Sequence, residues 1–286
     1  MTNPATPRPI VLRRVQLSTA AWQLLCESTS TTLGLETPAS AQAPDAPNTP
    51  AELSTEAAAA AWDELNALDM SPAPGEIKRQ WTGAVALLLT APITITARAS
   101  YQGVSTTSVL GLRAGRGLAA HQRHLSESGE QGTVITGSED SMEITLFDEE
   151  NVWGAAARLL PPLEVIQAGA KAAPLNSEPT LVVGPDSDPG ALPQAAAALI
   201  NDEDANVTLS VVTAKEGLPS RIWAGMWTVK DEQLFSVTSG TEAAPELRLT
   251  EVPAGHIANE LLFAVVGAHD ALTAAANAPT GTDKRQ

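Results

Sequence analysis

The stretch Met142–Leu160, MEITLFDEENVWGAAARLL, constrains this chain most, because the chain carries it twice. Met142, Ile144 and Leu146 alternate with Glu143 and Thr145, the period of a strand with one buried face. Asp148 stands at the N-cap position of the following helix, with Glu149 and Glu150 in a first turn favoured by the positive end of the helix dipole. Val152, Trp153, Ala156, Leu159 and Leu160 then recur at helical spacing until Pro161-Pro162 stops the run. The unit returns as LRLTEVPAGHIANELLFAV, with Leu247, Leu249, Val252, Ile257 and Val265 in the places of Met142, Ile144, Phe147, Val152 and Leu160. Two copies of one strand-to-helix unit predict a chain folded as two similar halves.

A length of 286 residues suits one large domain or two ordinary ones, and 43% hydrophobic against 17% charged residues describes a soluble globular chain. The net charge of -16 argues against nucleic acid, which needs clustered Lys and Arg. One cysteine, Cys26, excludes an internal disulfide and a cysteine-based metal cluster. It falls on the apolar face of a helix, where a buried inert thiol is expected. The proline-punctuated N-terminus lacks the apolar core of a secretory leader, and the apolar run Ala84–Leu89 is far too short to span a bilayer. These features predict a cytoplasmic protein with no cofactor.

In chain order, residues 1–9 read as a loose tail and Ile10–Val15 as a strand. Ser18 caps a helix with Trp22, Leu25 and Cys26 on one face, and Pro38–Pro50 forms a linker. A helix from Ser54 places Ala58, Ala61, Trp62 and Leu65 together, and a third, Glu76–Leu89, does the same with Ile77, Trp81, Ala84 and Leu88. After Pro92 the period switches to that of strands, through Ile93–Ala97 and Val104–Arg113, with Leu118–Leu125 ambiguous between strand and helix. Thr133–Thr136 is a short strand and Gly137–Ser141 a tight turn into the opening unit. Pro161–Pro193 reads as a surface excursion, with a short helix near Ala195–Ile200. A second meander follows through Val207–Val211, Ser220–Lys230, Gln233–Thr238 and Leu247–Val252, closed by a helix over Pro253–Ala268. The expectation is an α+β fold of two pseudo-symmetric halves, 10–163 and 164–272, each an antiparallel meander flanked by helices, with 273–286 a disordered tail.

Few residues suggest chemistry. His121 and His124 have no acidic residue at metal-ligand spacing and read as surface histidines. His256 opens the last helix and His269 lies near its end, where it favours the C-terminal dipole. Gly115-Arg-Gly117-Leu-Ala-Ala120 matches the Gly-x-Gly-x-x-Ala fingerprint of a pyrophosphate-binding turn, with Glu139 as a conceivable ribose acid. A glycine-rich hairpin turn explains the same letters, so a nucleotide- or small-ligand-binding enzyme using Gly115–Ala120 stands as the alternative function. Asp148–Glu150 and Asp202–Asp204 lack calcium-loop spacing.

In Arg221–Val229, Ile222, Ala224 and Met226 point one way while Trp223, Gly225 and Trp227 point the other. Both faces are apolar, which describes either a central strand covered on both sides or a strand with one face open to a partner. Trp223, Met226, Trp227 and Ile222, together with Phe263 of the final helix, are therefore the candidate partner-binding residues.

The order of elements resembles the EspG family, cytosolic chaperones of actinobacterial type VII (ESX) secretion. The residues that carry the likeness are the strand before Ser18 and the Trp22 helix, the helix with Ala61-Trp62-Asp-Glu-Leu65, and the helix with Trp81. They continue in the meander and helix ending Arg158-Leu-Leu-Pro-Pro162, in Ala224-Gly-Met-Trp227, and in Leu249-Thr-Glu-Val-Pro-Ala254 before the last helix, so the likeness covers residues 10–268. The resemblance implies two pseudo-symmetric halves sharing a sheet and a non-enzymatic role. It implies a secreted helical heterodimer as client, PE–PPE-like or WxG-like, kept soluble until the secretion ATPase takes it. A monomer or weak dimer is expected, with no membrane insertion and no nucleic-acid partner.

Overall fold

The strand at Met142 and its repeat at Leu247 occupy matching places on either side of one sheet. The computed structural model describes residues 11–35, 53–129, 132–171, 181–183, 203–214, 221–241 and 244–277. The first half contains β1 (Arg13–Leu17), α1 (Thr19–Leu33), α2 (Thr55–Ala67), α3 (Arg79–Leu89), β2 (Ile93–Tyr101), β3 (Val104–Arg113), β4 (Arg116–Gly129), β5 (Gly132–Asp148) and α4 (Val152–Ala157). The second contains α5 (Glu164–Gln167), β6 (Leu181–Val183), β7 (Ala205–Thr213), β8 (Arg221–Lys230), β9 (Gln233–Thr241), β10 (Ala244–Val252) and α6 (His256–Ala276). Among these residues the strands form one 10-stranded sheet in the order β1-β5-β4-β3-β2-β7-β8-β9-β10-β6.

Read outward from the middle, that order is the same in both directions: a four-stranded meander, then a returning edge strand. The seam is the β2–β7 pair, antiparallel from Ile93↔Thr213 to Tyr101↔Ala205. The α+β class and the two meanders are as the sequence implies. Helices lie on both faces of the sheet. Leu118 and Ala120 of β4 join a cluster with Trp22, Leu65 and Trp81 of α1–α3, while Ala119 between them joins a cluster with Ile257 and Leu261 of α6. Ser18 caps α1 by accepting from Ala21 N at 3.1 Å, and Ser54 caps α2 in the same way.

Several boundaries differ from expectation. β5 runs unbroken from Gly132, without a turn at Gly137–Ser141, because β4 accompanies it through two register shifts. Leu118–Leu125 is strand. The proline-rich excursion contains α5 and the edge strand β6, which pairs with β10 as β1 pairs with β5. α6 extends to Ala276, past the start of the expected tail, as its alanine-rich end favours helix. The segments 1–9, 38–50 and 278–286 and the helix near Ala195–Ile200 lie outside the described residues. No helix among the described residues is long and apolar enough to cross a membrane.

Candidate functional site

Two surfaces carry features beyond what the fold requires. The first is β8. Its odd-numbered side chains face α6, where Trp227 is 2% exposed and its Nε1 donates to His256 Nδ1 at 3.1 Å. Indole nitrogen only donates, so this bond requires an unprotonated Nδ1, and burial pushes the His256 pKa down to match. Trp223 packs beside it, the ring centroids 6.3 Å apart and the planes tilted by 42°. Gly225 lies between the two tryptophans in sequence, and a Cβ there would overlap the Trp227 ring. The even-numbered side chains point away from α6. Ile222 is 72% exposed, Met226 is 48% exposed and Ala224 between them is exposed.

The five residues expected at a partner surface therefore separate. Ile222 and Met226 share one face of the sheet. Phe263, 76% exposed, stands on the outer side of α6, across the sheet from them, next to exposed Val266. Trp223 is half-buried. Trp227 belongs to the core, a correction to its expected surface role: its indole fills the space between β8 and α6 and offers a partner no area.

The second surface is polar. A cavity of about 620 Å³ opens between strands β1–β5 and the Leu159–Pro162 segment that follows α4. Cross-strand register builds its floor: His121↔Glu143 and Gln16↔Glu143 are successive partners, and Ser108↔His121 extends the row beyond the lining. The Glu143 carboxylate is mostly buried and pairs with Arg14 and with Arg158, the latter at 3.4 Å. Ser108 Oγ lies 2.8 Å from His121 Nδ1, and burial pushes the His121 pKa down to about 4, against the pull of Glu143. A Ser–His–Glu row invites a nucleophilic reading. However, Ser108 is 1% exposed, so substrate has no access to its hydroxyl. His124, expected on the surface, is buried and meets Ser138 Oγ at 2.8 Å. No pattern in the sequence joins Arg14, His121, Glu143 and Arg158; strand register brings the first three together, and Arg158 arrives from the end of α4.

The other candidate features resolve as architecture. Ala114 and Gly115, with φ of 52° and 78°, form the two-residue turn between β3 and β4, so the Gly-x-Gly-x-x-Ala residues enter a strand and no helix N-terminus follows. Gly117 is required because a Cβ there would overlap the Phe147 ring. The acidic corner locks this hairpin. Asp148 pairs with Arg116 at 2.7 Å instead of capping the turn behind it. Glu149 accepts from Gly115 N at 3.1 Å, while its own N donates to Gly115 O at 3.0 Å. Its other carboxylate oxygen meets His269, which is mid-helix rather than near the end of α6. Glu139 lies 3.7 Å from Arg123 and has no ribose to hold in such a turn. Cys26 is buried, and burial raises its pKa, as expected of an inert thiol. Among the described residues no His/Cys/Asp/Glu group has the arrangement of a metal site. Compared with known proteins, the chain matches no family model and no curated sequence.

Proposed function

We propose that this protein is a non-enzymatic cytoplasmic chaperone that binds a helical secretion substrate, PE–PPE-like or WxG-like, as the resemblance to the EspG family implies. The observation that carries the reading is the row Ile222, Ala224 and Met226, apolar and turned to solvent from the interior of the sheet. Such a row seldom goes uncovered on a protein without a partner, and its alternating spacing suits contact with the apolar tip of a helical pair. Holding a client that way needs burial and no chemistry. The client then passes to the secretion ATPase.

The test is co-expression with small helical pairs encoded beside this gene. A stoichiometric complex is expected, with the client insoluble when expressed alone. Ile222→Asp with Met226→Asp should weaken the complex by at least about 100-fold, since two buried apolar contacts become charges. A client that stays soluble alone, or binds the double variant unchanged, would refute the reading.

A further inference from the structure

We propose that the groove beside His121 is a second binding site, which takes the free carboxylate of a short peptide. It lies on the α6 side of the sheet, opposite Ile222 and Met226, and stands or falls independently of the chaperone reading.

In a chain of net charge -16, Arg14, Arg123 and Arg158 converge on this groove. Two carboxylates answer them, Glu139 and Glu143. Glu143 is shared between Arg14 and Arg158, and Arg123 meets Glu139 only through Nε at 3.7 Å. With His121 neutral, three cations against two anions leave one positive charge, the complement of one carboxylate rather than of a doubly charged phosphate.

Arg123 and Glu139, both half-exposed, lie where the β4–β5 register shifts between Gln122 and His124. Bulges of this kind re-aim side chains beside sites. Glu143 already engages Arg14 and Arg158, so an incoming carboxylate meets Arg123, whose contact to Glu139 is the long one at 3.7 Å. On the opposite wall Leu159 and Pro161 are mostly buried and Pro162 is exposed, and the prolines carry no N–H, so this side is apolar and suits an aliphatic stem. At about 620 Å³ the space is that of a small-ligand site.

Calorimetry on the full chain tests this with three probes: acetyl-Leu-Ala with a free C-terminus, its C-terminal amide, and inorganic phosphate. The acid should bind with a sub-millimolar Kd, the amide about tenfold or more weaker, and the acid's affinity should fall as salt rises. Arg123→Gln, a half-exposed position, should weaken the acid by about tenfold and leave the melting temperature unchanged. Equal binding of acid and amide overturns the proposal. So does silence of the acid up to about 10 mM, or indifference to Arg123→Gln. Phosphate binding that Arg123→Gln abolishes, without peptide binding, also overturns it.

Discussion

At Gly225 the sheet leaves room for a hydrogen and nothing larger. The Trp227 ring lies where a Cβ would be, and that ring is pinned by its bond to His256. Gly225→Ala must therefore push the indole off its partner or bend β8, at a cost of about 1–3 kcal/mol. Urea unfolding would measure it, and a loss below half a kcal/mol would mean the ring has slack. The histidines give a second residue-scale prediction. His121 and His256 both have lowered pKa values, so the fold favours their neutral forms. Above pH 6.5 both states are neutral and the full stability is present. As pH falls from 6.5 towards about 4, the unfolded chain takes up the proton that His121 refuses in the fold, and roughly 3 kcal/mol is lost. Below that window His121 contributes no further loss. His121→Gln should show a shallower fall in stability between those pH values than the parent protein. Parallel profiles would remove His121 as the cause.

Between elements, the acidic corner does what the helix dipole was expected to do. Glu149 joins the β3–β4 turn to α6 through Gly115 and His269, and Arg116–Asp148 closes the same corner. Glu149→Ala should leave β5 and α4 in place while releasing both neighbours. Hydrogen exchange should quicken selectively at residues 114–117 and in the α6 turn around His269, with about 1 kcal/mol lost overall. Uniform exchange across the sheet would show that the corner holds nothing in particular. Elements of this kind mark how far the sequence can be read. Strand period and the Ser18 cap were legible because local residues decide them. The edge strand β6 was not, since Leu181–Val183 sits among prolines and gains its strand state only from β10. The burial of Trp227 and the exposure of Ile222 depend on which face α6 covers, and periodicity shows two apolar faces without saying which is filled. The groove was illegible for a related reason: its residues come from β1–β5 and the segment after α4, and meet only through sheet register and the packing of that segment.

For the molecule as a whole, the decisive contact is the seam. Ile93, Ile95, Ala97 and Ala99 of β2 and Val207, Leu209 and Val211 of β7 lie in one cluster with α6 residues Ile257, Leu261 and Val265. The first half thus supplies half of the core that the last helix covers. A fragment ending at Leu163 would retain α1–α3 and their own cluster, yet leave β2 as an unpaired edge with its apolar side bare. Such an edge recruits other chains, so the fragment should be aggregation-prone and show no cooperative melt. The intact chain should unfold in a single step, with near-ultraviolet signals from Trp22 and Trp81 and from Trp223 and Trp227 lost together. A dispersed amide spectrum and a cooperative melt from the fragment would show that the halves fold separately, and that the common sheet is an interface between two domains rather than one core. The seam also bears on the proposed client. Ile222 and Met226 sit on β8, which pairs with β7, which pairs with β2 across the seam. A partner seated there rests on a strand that the seam ties to the first half, so a seam-destabilising change such as Leu209→Ala should lower stability by about 2–5 kcal/mol, and bound client should restore part of that loss.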